Sequence, residues 1–404
     1  MRRVVITGLG VVAPNGIGKE EFWDSLISGR SGIGRITSFD TSGLPVQIAG
    51  EVKGFDPTKY MTPKRAKVMT KVTQFAVASA KMAVEDAGLE ITDSNREEIG
   101  VCFGNICGRP DFEEDYRRYL ERGYKGLHPL SAASFCPHSL TAYVSTELGI
   151  KGVAETISSG CTAGLDAIIW GFSQIRKGMA KVVISGGADA FLSPFTFAAA
   201  CASGNLSRSG CRPYDLNHDG IVLGEGGAAV VLEDLENALS RGANIYAEIL
   251  GFGWASEGGM GGDTSGEAAA RAIKSALSMA GLDPTEIDYI NSHGNGMPHY
   301  DLAETRGFKL VFGDRIYNLP VSSIKPITGQ AFSATGVYQV ISVCMTLKTG
   351  VVPPTLNHKI PDSECDLDYV PGKVRKGRIK KALVNAQNFG THTVLILGRI
   401  DGAE

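Results

Sequence analysis

Short β-branched runs alternate with helical patterns along almost the whole chain. Residues 4–11, 99–103, 180–185 and 228–232 are apolar runs of the kind that form strands buried on both faces. Residues 20–28, 65–87 and 165–176 instead repeat apolar positions at three- and four-residue spacing, which predicts helices. The same order returns after residue 245. A strand is predicted at 246–253, a helix at 266–280, a strand at 287–291, helices at 301–312 and 336–348, and strands at 382–385 and 393–397. Such alternation predicts an α/β architecture whose sheets are covered by helices on both faces. Its recurrence predicts two halves of similar order, residues 1–245 and 246–404, although sequence identity between them is weak.

A length of 404 residues is more than one ordinary core fills, in keeping with two halves. The 51 glycines fall in clusters such as residues 258–262, which suggests tight turns and close backbone approach around a site. A net charge of −3 gives no support for nucleic-acid binding as the main role. The eight cysteines, at 102, 107, 136, 161, 201, 211, 344 and 365, include no CxxC pair and no secretory framework, which points to a reducing compartment, the cytoplasm. The opening residues resemble a signal peptide superficially, but glycine breaks the apolar run and no small-residue cleavage site follows. No 18-residue apolar stretch predicts a membrane span, and neither a metal-ligand spacing nor a dinucleotide fingerprint is present.

Candidate chemistry centres on Cys161. The run Thr156-Ile-Ser-Ser-Gly160-Cys161-Thr-Ala-Gly-Leu165 places a thiol at a small-residue elbow between an apolar segment and a helix. A helix N-terminus offers a positive dipole end and unpaired N–H groups, both of which favour thiolate. The alternative is a buried structural cysteine. His293 follows the strand 287–291 in Ser292-His293-Gly294-Asn295-Gly296-Met297-Pro298, where open α/β sheets place ligands; alternatively it is a loop histidine satisfied by backbone. Lys325 follows another apolar strand and could equally snorkel to solvent. Residues 385–391 form a turn whose N–H groups could point into a cavity. The segments 212–215 and 219–226 look like supporting loops rigidified by paired charges.

Taken in order, these segments resemble the β-ketoacyl-acyl-carrier-protein synthases, in the synthase II and type II polyketide ketosynthase branch. The resemblance spans nearly the whole chain: Val4-Val-Ile-Thr-Gly-Leu-Gly, the cysteine elbow, Arg212-Pro-Tyr-Asp215, Asp219 to Gly226, Asn291-Ser-His293-Gly294, Asp301-Leu-Ala-Glu304, Ser323-Ile-Lys325 and Asn388-Phe389-Gly390. It implies a thiolase-like fold, duplicated α/β halves packed as a layered αβαβα sandwich. It also implies an acyltransferase reaction. Cys161 takes an acyl group from a carrier protein's phosphopantetheine, and a malonyl carrier protein then decarboxylates and attacks that thioester. By position, the N–H groups of Cys161 and Phe389 would form the oxyanion hole and His293 would be the first catalytic histidine. Lys325 and Glu304 would form a supporting ion pair, Phe389 a gate, and Ile106, Phe389 and Gly390 the acyl pocket. No cofactor is implied beyond the phosphopantetheine that the substrates bring.

The resemblance further implies an acyl carrier protein as partner and a dimer, with a second copy or a related subunit. An acidic carrier protein needs a basic face, and Lys64, Arg65, Lys67 and Lys71 cluster beside a predicted helix start; a solvated helix end is the alternative reading. The chain departs from the family pattern in three places. Gln330 stands where a second histidine is expected, Asn295-Gly296-Met297 replaces Thr-Ser-Thr, and Gln387-Asn388-Phe389-Gly390-Thr391 replaces Phe-Gly-Phe-Gly-Gly. A glutamine amide donates the hydrogen bond that a histidine N–H would, but it cannot become cationic. Three readings therefore stand: a condensing enzyme with an altered triad, an acyltransferase that does not elongate, and a non-catalytic partner like a chain-length factor. Retention of Cys161 argues against the last.

Overall fold

The computed structural model describes residues 2–259 and 262–400; Met1, the centre of the predicted glycine cluster (Met260 and Gly261) and residues 401–404 lie outside the described residues. Each half contributes five strands to the continuous order of one mixed sheet, and a short strand Gly16–Ile17 folds back on the end of the first. The first half supplies β1 (Val4–Ala13), β2 (Ile99–Gly104), β3 (Ala154–Ile157), β4 (Val182–Asp189) and β5 (Gly226–Asp234). The second supplies β6 (Ala247–Ser256), β7 (Tyr289–Asn291), β8 (Val321–Ser322), β9 (Lys381–Asn388) and β10 (Thr391–Gly398). Their lateral order is β8-β7-β9-β10-β6-β1-β5-β4-β2-β3.

From the centre outward both halves run identically: first strand, fifth, fourth, second, third. The inner two pairings are antiparallel and the outer two parallel in each half. The halves meet at their first strands, where Val5 faces Glu248 and Ile6 faces Ala247. The repetition is thus one of topology, which side-chain identity does not need to preserve.

Two helices form the central layer, α3 (Ala163–Arg176) and α6 (Ser333–Thr349), packed on each other and on strands of the sheet. Outside lie α2 (Lys71–Asp86) against β1 and β5, and α4 (Glu267–Ala280) with α5 (Pro298–Phe312) over the second half. Strand alternation explains why the apolar runs are unbroken. Val230 and Leu232 face the central layer while Ala229 and Val231 face α2, and Val384 points inward while Leu383 points outward. The layered α/β sandwich implied by the resemblance is the fold.

One predicted helix, 65–87, is two. α1 (Pro63–Val68) ends at an extended Met69, and Thr70 restarts the chain as the cap of α2, its hydroxyl accepting from the Thr73 N–H at 3.3 Å. The cap competes successfully with continued helix because Met69 itself buries its side chain. Helices Glu113–Arg122 and His138–Leu148 were not evident in the apolar periodicity. Among the described residues no helix is long and apolar enough to cross a membrane.

The central layer demands glycine at Gly164. A Cβ there would lie 2.0 Å from the Ser333 carbonyl oxygen, where α6 begins. Gly164→Ala should gain about 1 kcal/mol of helix propensity and lose about 1–3 kcal/mol to overpacking against backbone. The net expectation is a lower melting temperature in a thermal denaturation series. A melting temperature at or above the wild type would show that the Ser333 segment yields freely.

Candidate active site

The elbow predicted around Cys161 is a turn, Gly160–Thr162, between β3 and α3. Gly160 takes φ +72°, and a Cβ on it would meet Asn388 Nδ2 at 2.1 Å. Asn388 in turn donates to the Ser159 carbonyl at 3.2 Å. The elbow is also clamped from α3. The Asp166 carboxylate accepts from the Ser159 and Thr162 hydroxyls, and it accepts from Trp254 Nε1 and Thr393 Oγ1, each at 2.9 Å. Trp254 and Thr393 sit on β6 and β10, so one carboxylate ties the nucleophile's turn to the other half.

Cys161 is half-buried, and desolvation pushes its thiol up to about 11. A hydrogen bond from the Gln330 side chain and the charge of Lys325 oppose this shift, and the charge of Asp189 adds to it. The depressed thiol expected from the helix start is therefore not found: loss of water outweighs the favourable groups. Gln330 is 2% exposed, with its main chain pinned by the Val222 carbonyl (2.8 Å) and the Gly224 N–H (2.9 Å). The supporting role read for residues 219–226 is what these bonds provide. The buried Gln330 Oε1 has no partner among the described residues.

His293 is 1% exposed at the end of β7. Burial first, then the charges of Lys325 and His392, hold its imidazole well below the ordinary range. Its Nδ1 accepts from the Gln387 N–H at 3.3 Å, which assigns the ring proton to Nε2. That Nε2 is buried and has no partner among the described residues. A buried donor without an acceptor is costly and rare unless a ligand completes it.

Lys325 and Glu304 do not form the expected ion pair. Lys325 Nζ donates to the His293 carbonyl oxygen, while Glu304 accepts from the N–H groups of His293 (2.6 Å) and Gly294 (2.9 Å). Tyr214 Oη and Asn385 Nδ2 complete the carboxylate, each at 2.6 Å. The two charges grip one loop from either side instead of meeting. Burial brings Lys325 down to about 8 against the pull of Glu304, and burial raises Glu304 against its four donors.

Phe389 is exposed and held at φ +36°. Its N–H, expected to serve the oxyanion hole, donates to Tyr300 Oη at 3.0 Å. Gly390 is buried at φ +76°, and its carbonyl accepts from the Glu257 N–H. Ile106 is half-buried past the end of β2, with its N–H on Asp189 Oδ1 at 3.2 Å. Asp189 also receives the Ser333 N–H at 2.9 Å, and burial moves it up to about 7. The sequence reading passed over Tyr300, Asp166 and Asp189. Asp166 falls in the predicted helix that follows the cysteine elbow, and Tyr300 falls between the segments ending at Pro298 and beginning at Asp301.

The basic cluster divides. Lys71 Nζ is engaged by Glu225 at 2.6 Å, and Glu225 is fully buried; Arg65 pairs with Glu147 at 3.3 Å. Lys64 and Lys67 are exposed with no ion-pair partner among the described residues. Lys71 and Arg65 are thus partly exposed cations that each balance a carboxylate, and Lys64 and Lys67 carry the remaining charge of the cluster. Among the described residues no cluster of three or more histidine, cysteine or acidic side chains could hold a metal ion.

Residues 1–238 match the β-ketoacyl synthase N-terminal domain, and residues 246–359 match the β-ketoacyl synthase C-terminal domain. The chain is 40% identical over 405 residues to the tetracenomycin polyketide synthase ketoacyl synthase alpha subunit of Streptomyces glaucescens, covering 96% of this chain and 95% of that one. It is 37% identical to 3-oxoacyl-acyl-carrier-protein synthase 2 of Synechocystis sp., with 98% and 97% covered. Among solved structures it is similar to the ishigamide ketosynthase/chain length factor (34% identity, 99% of each chain, TM-score 0.94). It is also similar to a type II polyketide synthase acyl-carrier protein in complex with its ketosynthase bound to the hexaketide (32% identity, 99% and 100% covered, TM-score 0.91).

With the thiol near 11, alkylation of Cys161 by iodoacetamide, followed by peptide mapping, should quicken about tenfold per pH unit from pH 7 to 10. A rate that levels off near pH 8 would mean that the free protein already holds a thiolate.

Proposed function

The chain belongs to the β-ketoacyl synthase family, and from that premise we propose that it condenses acyl and malonyl units carried on acyl carrier protein. One observation carries the reading. The Cys161 thiol is met by the Gln330 side chain and by the charge of Lys325, the same lysine holds the His293 carbonyl, and the buried His293 Nε2–H lacks an acceptor among the described residues. The His293 Nε2–H and the Gln330 amide are donors placed for a substrate oxygen. Cys161 Sγ attacks the acyl thioester, the carbon–sulfur bond to phosphopantetheine breaks, and the thiol proton leaves on the departing pantetheine sulfur. That exchange needs no net charge, which suits a thiol raised by burial.

The malonyl thioester then loses carbon dioxide, and the negative charge forming on its carbonyl oxygen is met by His293 Nε2–H and the Gln330 amide. The resulting carbanion attacks the Cys161 thioester carbon, and Sγ departs and recovers a proton. Lys325 and Glu304 touch none of these atoms and hold the His293 loop in place. Gln330 in place of an ionisable donor favours one competing reading, an acyltransferase that loads Cys161 and passes the group on without elongating it.

We place the residues 1–245 as the half that supplies the thiol and residues 246–404 as the half that supplies the donors. The carrier protein docks at Lys64, Arg65 and Lys67, and its phosphopantetheine is the only cofactor chemistry needed. A second subunit, identical or related, covers the free edge of β3, the last strand of the sheet. The free cysteines suit the cytoplasm.

The test offers acyl- and malonyl-carrier proteins and follows intact-protein mass together with carbon dioxide. Acylated Cys161, released carbon dioxide and an extended product are expected, and Cys161→Ala abolishes all three. Acylation without carbon dioxide would leave the transfer reading, and no acylation would leave the partner role. Gln330→Ala should slow decarboxylation by about 10²–10³-fold while acylation persists. Lys64→Glu with Lys67→Glu should raise KM for the carrier protein and leave acyl-pantetheine turnover unchanged; an equal loss with both substrates would overturn the docking site.

A further inference from the structure

Tyr300 stands among the reacting groups, yet neither the family pattern nor the mechanism above uses it. It occupies the first turn of α5, two residues after Pro298. Its ring lies edge-on to the His293 imidazole, with centroids 6.1 Å apart and planes at 79°. Its hydroxyl takes the Phe389 N–H at 3.0 Å, and it lies within electrostatic range of the Cys161 sulfur. Its carbonyl accepts from Gln387 Nε2 at 3.1 Å, and the Gln387 N–H holds His293 Nδ1. One glutamine therefore positions both the histidine and the tyrosine.

We propose that Tyr300 Oη–H is the second oxyanion donor, standing in for the Phe389 N–H. A backbone N–H has one proton, and here that proton is committed to Tyr300 Oη. The phenol then has its own hydrogen to give, and among the described residues it meets no acceptor. An O–H that accepts a bond from an N–H is polarised by it and donates more strongly. The N–H thus acts on the substrate through the phenol. Phe389 is held in the left-handed region, where an aromatic residue persists only if its surroundings impose it; the bond to Tyr300 is one such constraint. Burial keeps the phenol protonated, and so a donor, across the working pH range. Together with the Cys161 N–H, Tyr300 would meet the thioester oxygen as it becomes an oxyanion.

The inference rests on Cys161 being an acyl acceptor, and its test is built to separate the two ideas. Tyr300→Phe keeps the ring, frees the Phe389 N–H and removes only the hydroxyl. In the full-length protein, Cys161 acylation by acyl-pantetheine, read by intact mass, should slow by about 10²–10³-fold. Two further readouts should not move: binding of the non-transferable amide analogue of acyl-pantetheine, and Cys161 alkylation by iodoacetamide, which forms no oxyanion. Acylation at the wild-type rate or faster would overturn the proposal, the latter marking the phenol as a cover over the Phe389 N–H. Parallel loss of acylation, analogue binding and alkylation would also overturn it, since the hydroxyl would then be structural. A wild-type protein that takes no acyl group from any thioester sinks both ideas. Acylation without carbon dioxide sinks condensation alone.

Discussion

Two buried charges set the geometry of this site. Lys325 and Glu304 are almost fully excluded from solvent, and each holds the main chain of the His293 loop. Neither charge could be buried alone, because removing one partner of such a set strands the other in a poor solvent for it. Four segments far apart in sequence converge on Glu304: Tyr214, the His293-Gly294 loop, Asn385 and, through the loop carbonyl, Lys325. Burial keeps the imidazole neutral, and the Gln387 N–H on Nδ1 leaves its proton on Nε2. Lys325 lies on one side of the loop and its positive charge disfavours a second one on the ring.

The nucleophile obeys the same balance with the opposite outcome. At Cys161 the stabilising groups are a side-chain amide and a charge at a distance, and they do not make up for lost water. A cationic partner in place of Gln330 would favour thiolate; an amide does not. The site therefore rests as thiol, neutral imidazole and amide. Such a set suits chemistry in which a proton moves from one sulfur to another, and charge appears only transiently on a carbonyl oxygen where donors wait.

Period and propensity made the main elements legible in the sequence, because strands buried on both faces leave unbroken apolar runs. The two halves were legible as a recurring order, and the shared strand arrangement gives that order its structural content. What escaped the reading was long-range pairing. Lys71 looks like surface charge until Glu225, 154 positions away, is found buried against it. Lys325 and Glu304 looked like partners, but the main chain of His293 separates them. The break at Met69 was hidden because Thr70 acts through local capping, which leaves the apolar spacing undisturbed. Tyr300 was hidden because its backbone belongs to a helix start while its hydroxyl reaches a turn 89 positions later.

The departures from the family pattern acquire a physical link in the structure. Gln330 bonds the thiol, Gln387 orients His293 by its N–H and holds Tyr300 by its amide, and Asn388 reaches across to the Ser159 carbonyl beside Gly160. The glycine at 160 is what leaves room for Asn388, so that side chain and the nucleophile's turn constrain each other. Phe389, next in the chain, then presents its N–H to Tyr300. Gln387, Tyr300, His293 and Phe389 form one hydrogen-bonded set, while Asn388 and the Asp166 clamp tie the cysteine turn to the other half. Removing the Gln387 amide would leave the partly buried Tyr300 carbonyl without that donor, which costs more than the bond itself contributes. Substitutions at Gln387 and Tyr300 are therefore coupled through His293 and Phe389, whereas Gln330 acts on the thiol from the 222–224 side.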